Sequence, residues 1–155
     1  MQNHQSRRTL LKSGGLLAVL AAFGSALLPR FAFAAWNKAA FDSKTLADAY
    51  KAMGVEGAKE SGEVQLLASD IAENGAVVPL QAVSKLPNTT QIAFFVEKNP
   101  NMLAASFDIG PDMVADVTTR IKMGQTSNVI ALVKADGKFY TATKEIKVTL
   151  GGCGG

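Results

Sequence analysis

Val129-Ile130-Ala131-Leu132-Val133-Lys134-Ala135-Asp136-Gly137-Lys138-Phe139-Tyr140 is the stretch that decides the fold. A β-branched apolar run reaches Asp-Gly and resumes as a second run to Leu150, with Ile146, Val148 and Leu150 alternating near its end. An Asp-Gly pair between apolar runs predicts a hairpin, because both turn residues tolerate positive φ. Working back along the chain, Val114 to Met123 alternates with period two, placing Val117, Thr119, Ile121 and Met123 on one face and Thr118, Arg120 and Lys122 on the other. Ile92 to Glu97 and Met102 to Ile109 flank Asn99-Pro100-Asn101, which predicts a turn, and Val64 to Ile71 and Ala76 to Ser84 flank Glu73-Asn74-Gly75, which predicts another hairpin. About seven strands in this span predict an all-β, immunoglobulin-like antiparallel sandwich.

Ahead of the strands, Leu46, Ala49, Tyr50 and Met53 recur at helical spacing. They predict one N-terminal helix over residues 36–54, capped by Asp42 or Ser43 and ended by Gly54. Ile92-Ala93-Phe94-Phe95-Val96 and Val129 to Val133 are apolar at every position, whereas a sandwich strand ordinarily shows one face to water. These two runs call for cover on both faces, from the helix, from a partner subunit, or from a central place in the sheet.

Residues 1–34 read as a targeting segment. Ser6-Arg7-Arg8-Thr9-Leu10-Leu11-Lys12 carries paired arginines, an apolar run follows from Leu16 to Leu28, and Ala32-Phe33-Ala34 offers small residues for cleavage. That is the pattern of a twin-arginine export signal, and it predicts a mature periplasmic chain from Ala35. The apolar run is shorter than the roughly 20 residues a membrane span needs.

Removal of this segment takes Arg7, Arg8, Lys12 and Arg30 but none of the 13 acidic residues, so 16 − 4 = 12 basic residues remain and the net charge falls from +3 to −1. No basic cluster is then left to neutralise a nucleic-acid backbone. The single histidine, His4, leaves too, which excludes a serine-histidine hydrolase, and one cysteine without histidine excludes a structural zinc site. The mature chain is therefore expected to hold no metal and no resident cofactor, to bind neither nucleic acid nor membrane, and to carry no catalytic residue of its own.

What remains is Cys153, in Gly151-Gly152-Cys153-Gly154-Gly155. Glycine loses the most backbone freedom on ordering, and the four glycines around Cys153 offer no side chain to bury, so residues 151–155 are expected to form a mobile arm. The stretch from Gly151 to Cys153 would let the sulfur reach roughly 10 Å at up to about 3.6 Å per residue. A lone cysteine in an oxidising compartment cannot close an intramolecular disulfide, so it stays free, pairs with another chain or carries a cargo, and an exposed thiol on a mobile arm points to the last. Lys144 and Lys147 would lower the thiol pKa if the tail folded back, but solvated lysines on a strand face are the simpler reading. Two rival readings are a diglycine-terminal modifier or thiocarboxylate carrier, which needs ATP-driven activation that an exported chain lacks, and an exported non-covalent binding module.

The paired arginines at Arg7-Arg8, the segment Ile71-Ala72-Glu73-Asn74-Gly75-Ala76-Val77-Val78-Pro79 and the terminal Gly151-Gly152-Cys153-Gly154-Gly155 together closely resemble the SoxY family of sulfur carriers of the thiosulfate-oxidising Sox system. The resemblance implies an immunoglobulin-like domain over residues 35–150 that pairs with SoxZ and holds sulfur intermediates on Cys153. It further implies transient partners: a SoxAX cytochrome that couples thiosulfate to the thiol, a SoxB hydrolase that releases sulfate, and a SoxCD dehydrogenase that oxidises the remaining sulfane.

Overall fold

The computed structural model describes residues 36–149. The targeting segment expected at residues 1–34 and the arm at residues 151–155 lie outside the described residues, as does Leu150. Two helices, α1 (Lys38–Phe41) and α2 (Leu46–Met53), precede nine strands. These are β1 (Lys59–Glu60), β2 (Val64–Ala68), β3 (Ile71–Ala72), β4 (Val78–Ser84), β5 (Thr89–Val96), β6 (Leu103–Asp108), β7 (Asp116–Ile121), β8 (Ser127–Ala135) and β9 (Lys138–Val148). Seven are full strands and answer to the seven expected. The other two, β1 and β3, have two residues each, too short to leave a periodic trace in the sequence.

The strands form an open sandwich. The larger sheet runs β1-β9-β8-β5-β6 with β3 added beside β9, and the smaller runs β2-β4-β7. All pairings between full strands are antiparallel, while β1 and β3 each join β9 in parallel. Both short strands take the same edge of β9, since the Lys147 and Thr149 N–H groups turn toward Asp70 and Ala72 whereas the Val148 N–H turns to Thr126 on the β8 side. The Asp136-Gly137 hairpin forms as its sequence requires. Asp136 (φ 48°) and Gly137 (φ 73°) are both left-handed, and Ala135 pairs directly with Lys138.

Asn74-Gly75 behaves differently from a hairpin turn. Strands β2 and β4 do pair, Val64 with Ser84 through Ala68 with Leu80, but the chain between them leaves the small sheet to form β3 against β9. Neither Asn74 nor Gly75 adopts a positive φ. Instead the Asn74 side chain accepts from the Ala76 N–H at 2.9 Å, and its carbonyl accepts from the Val77 N–H at 3.2 Å. The short polar side chain of Asn74 stabilises a local turn at the end of a crossover, as asparagine does in many non-hairpin turns.

The helical region also differs from the single helix expected over residues 36–54. It divides at Asp42–Thr45, where Asp42 ends α1 and Thr45 begins α2. The N-caps are Asn37, whose side chain accepts from the Ala40 N–H, and Thr45, whose hydroxyl accepts from the Asp48 N–H at 3.1 Å. Asp42 and Ser43 therefore are not N-caps; Ser43 instead donates its hydroxyl back to the Ala39 carbonyl and closes α1. Gly54 ends α2 in the left-handed conformation (φ 67°), with the Val55 N–H returning to the Tyr50 carbonyl at 2.8 Å.

This helical layer supplies the second cover that the doubly apolar strands need. Ile92, Phe94, Val96, Val129, Ala131 and Val133 face the interior between the sheets, with Leu80, Ala82 and Ile146. Ala93, Phe95, Ile130 and Leu132 face outward and are sealed by Ala40, Ala49, Leu46, Tyr50 and Met53. Tyr50 meets Phe95 edge to face at 5.3 Å. Burial raises the Tyr50 phenol above its ordinary pKa, with the Glu97 charge a smaller cause. No helix among the described residues is long and apolar enough to cross a membrane.

Candidate functional site

Cys153 and Gly151, Gly152, Gly154 and Gly155 lie outside the described residues, so the site is built from the structure that leads to them. The described chain ends at Thr149, four residues before Cys153. Strand β9 carries it there. The strand holds its place because Ile146 is fully buried between the sheets and Phe139 is buried at the other end against the helical layer.

Three segments converge on the last residues of β9. From the crossover, the Asp70 carbonyl accepts from the Lys147 N–H at 2.9 Å, and the Ala72 carbonyl accepts from both the Thr149 N–H (3.1 Å) and its hydroxyl (3.4 Å). From the β7–β8 connection, the Thr126 hydroxyl accepts from the Val148 N–H at 3.0 Å. From the β5–β6 turn, Asn99 braces that connection, donating to the Lys122 carbonyl at 2.7 Å and accepting from the Gly124 N–H at 3.2 Å. Every backbone N–H from Lys147 to Thr149 thus has a partner, and alternate ones come from opposite sides of the strand.

Gly75 is the point where the crossover and the β7–β8 connection touch. Its carbonyl accepts from the Met123 N–H at 2.7 Å, so the two backbones lie side by side. A methyl group on Gly75 would overlap the Met123 carbonyl oxygen and would lie 2.8 Å from Cγ1 of Val148. The requirement for glycine is thus one of space, a close approach of backbone to backbone, with no demand on φ.

Among the described residues, one ion pair lies near this root. Lys144 forms an ion pair with Asp70 at 2.8 Å and also donates to the Ala68 carbonyl. The hydrogen bond from Lys144, its charge, and to a lesser degree Lys147 hold the Asp70 carboxyl below the ordinary carboxylate range. Lys144 therefore spends its charge on Asp70, whereas Lys147 is exposed. Among the described residues there is no group of three histidine, cysteine, aspartate or glutamate side chains that could hold a metal ion.

The sequence points to Cys153 and its glycines, and to Ala72 and Gly75 only as members of a turn-like family segment; Asp70, Thr126 and Thr149, which also hold the chain that leads to Cys153, carry no such mark. The available signal was the Ile71-to-Pro79 segment itself, which reads as a hairpin turn and serves instead as the brace on the last strand.

Comparison with known proteins fits this geometry. The profile of the family "sulfur oxidation protein SoxY" matches residues 49–153, a span that covers every described strand and reaches Cys153. Among solved structures, the sulfur carrier protein SoxY from Chlorobium limicola f thiosulfatophilum is 39% identical, covers 68% of this chain and 97% of its own, and superposes with a TM-score of 0.62. A superoxide reductase (neelaredoxin) from Ignicoccus hospitalis, 17% identical with a TM-score of 0.52 over 58% of this chain and 82% of its own, shares the fold alone. The comparison with curated proteins gives no match. With a family match over more than half its length and a solved relative at 39% identity, the chain belongs to the SoxY family.

Proposed function

We propose that this chain is a periplasmic covalent sulfur carrier in which Cys153, on the glycine arm 151–155, holds thiosulfate-derived intermediates and presents them to partner enzymes. The observation that carries the reading is that the family match extends to Cys153, the single cysteine of the sequence. The C. limicola relative is itself described as a sulfur carrier.

The chemistry asks little of the carrier beyond a thiolate. In the loading step the Cys153 thiolate and thiosulfate join through a new S–S bond, and the two electrons released pass to a SoxAX-type cytochrome. Hydrolysis of the outer S–S bond by a SoxB-type enzyme then consumes one water and releases sulfate and two protons, leaving a persulfide on Cys153. A SoxCD-type dehydrogenase oxidises that sulfane sulfur to a sulfonate with three oxygens from three waters, accepting six electrons and releasing six protons, and a second hydrolysis consumes one water, releases sulfate and two protons and restores the thiolate. Cys153 acts in each step as bound substrate, so the chain is a carrier and the partners are the enzymes. Pairing with a SoxZ subunit and twin-arginine export belong to the same reading.

A Cys153→Ser variant tests it. Reconstituted with the partner enzymes, the wild type forms sulfate from thiosulfate and shows thiosulfonate or persulfide adducts by intact mass, and the variant is expected to do neither. Sulfate formation at the wild-type rate by the serine variant would refute the proposal.

A further inference from the structure

We propose that the end of the sandwich opposite the last residues of β9 is a docking surface for a partner protein, one that presents an apolar side chain flanked by lysine or arginine. The surface does not depend on the chemistry at Cys153.

The β4–β5 and β6–β7 connections enclose a cleft of about 360 Å³ whose apolar wall is Leu86, Ile109, Met113 and Ala115. The polar groups around it are already spent. Ser84 donates its hydroxyl to Thr89 at 2.8 Å, Thr89 donates to the Leu86 carbonyl at 3.0 Å, and the Leu86 N–H returns to the Ser84 hydroxyl at 3.3 Å. Asn88 donates to the Asp136 carboxylate at 2.8 Å. A cleft with its hydroxyls so engaged suits an apolar side chain, because a polar one would enter without a partner.

Beside the cleft stand Met113 and Val114, 60% and 81% exposed. Their backbone is fixed. The Met113 N–H donates to the Gly110 carbonyl at 3.1 Å while the Gly110 N–H donates to Met113 Sδ at 3.4 Å, and the Ala115 carbonyl accepts from the Ser84 N–H at 2.9 Å. Apolar side chains held in water on an ordered loop lower the ordering cost of association.

Charge selects the partner. Between Lys98 and Arg120 the sequence has three acidic residues, Asp108, Asp112 and Asp116, and no basic one. All three are exposed along the β6–β7 side of the cleft, and Lys85 stands on the β4–β5 side, so the rim carries 1 − 3 = −2. The adjoining hairpin adds Asp136 and Lys138, which cancel. Cationic flanks are attracted to this rim and anionic flanks repelled. Strand β5, eight residues long, separates this end from the other, more than about 20 Å at about 3.3 Å per residue. A protein docked here leaves the β9 end open.

The test titrates the nitrogen-labelled full mature chain with three acetylated and amidated tetrapeptides, Lys-Leu-Phe-Lys, Ser-Leu-Phe-Ser and Glu-Leu-Phe-Glu, and reads the amide resonances. The lysine peptide is expected to shift residues 84–90 and 108–116 saturably. Its Kd should lie roughly ten-fold below that of the serine peptide at low salt, narrowing to less than about two-fold at about 0.5 M salt. The glutamate peptide should bind more weakly than the serine peptide. Asp112→Asn should cut the lysine preference roughly three-fold, while Val114→Ser should weaken all three peptides alike; both positions are exposed, so neither change disturbs the core. Shifts centred elsewhere, equal affinity for the three peptides, or no saturable shift up to about 10 mM peptide overturn the proposal. So do shifts of the same amides that grow with protein concentration in the absence of peptide, since the occupant would then be a second copy of this chain.

Discussion

Phe94 and Phe95 are adjacent on β5, both fully buried, and face opposite ways, so a pair of alanine substitutions weighs the two cores against each other. Phe94 packs between the sheets, edge to face with Phe107 at 6.3 Å, and Phe95 packs against Tyr50 of α2 at 5.3 Å. Truncation of a buried phenylalanine removes its transfer free energy and leaves a cavity, about 3–5 kcal/mol in total, including about 0.5–1.5 kcal/mol for the aromatic pair. With a urea dependence near 1.5 kcal/mol per molar, the unfolding midpoint should fall by about 2–3 M for either variant. Urea titrations of the mature chain, followed both by far-ultraviolet circular dichroism and by fluorescence of the single tryptophan, measure this directly. Trp36 lies against Phe41 with ring centroids 5.3 Å apart and planes tilted by 39°, and so reports the helical layer, while the dichroism reports chiefly the sheets. The expectation is that both variants lose comparable stability and that both probes give one transition. A shift below roughly 0.5 M for Phe95→Ala beside a full shift for Phe94→Ala, or tryptophan fluorescence that changes well before the dichroism, would refute the claim that the helices seal the outer face.

Two further outcomes follow from particular residues. Gly137 sits at φ 73° with open space around its Cβ position, so Gly137→Ala should cost about 1 kcal/mol from backbone strain alone, measurable in the same titrations. Asp70 has a folded pKa below its unfolded value, so its contribution to stability is present above the ordinary aspartate range and is lost as pH falls through the depressed value. Wild type should exceed Asp70→Asn in unfolding midpoint near neutral pH, with the difference vanishing in strong acid; a difference independent of pH would show that the pair with Lys144 is not its source.

The β9 end of the molecule shows what a linear pattern can and cannot carry. Strand β2 and strands β4 to β9 announce themselves because β-branched and apolar runs are bounded by turn residues, and Asp136-Gly137 specifies its own geometry. The break between α1 and α2 is harder to read, since Asp42, Ser43 and Thr45 are all competent caps and which one starts a helix depends on tertiary contacts such as the Met102 N–H donating to the Ser43 carbonyl. Asn74-Gly75 has the composition of a hairpin turn yet belongs to a crossover, because the preceding Ile71-Ala72 finds hydrogen-bond partners on β9 rather than continuing β2. Two-residue parallel pairings depend on residues some 75 positions away in the sequence, and no local signal encodes them. Cys153 stands out in the sequence as its single cysteine, and the family match reaches it. The residues that brace its strand were legible only as a family motif whose purpose required the fold.

The two short parallel strands on β9 have a consequence for how this molecule behaves in a crowd. An eleven-residue strand with a bare edge is a template on which a second chain can add its own strand. With β1 and β3 already occupying that edge at Tyr140–Thr141 and Lys147–Val148, a neighbouring strand finds its register interrupted at both ends.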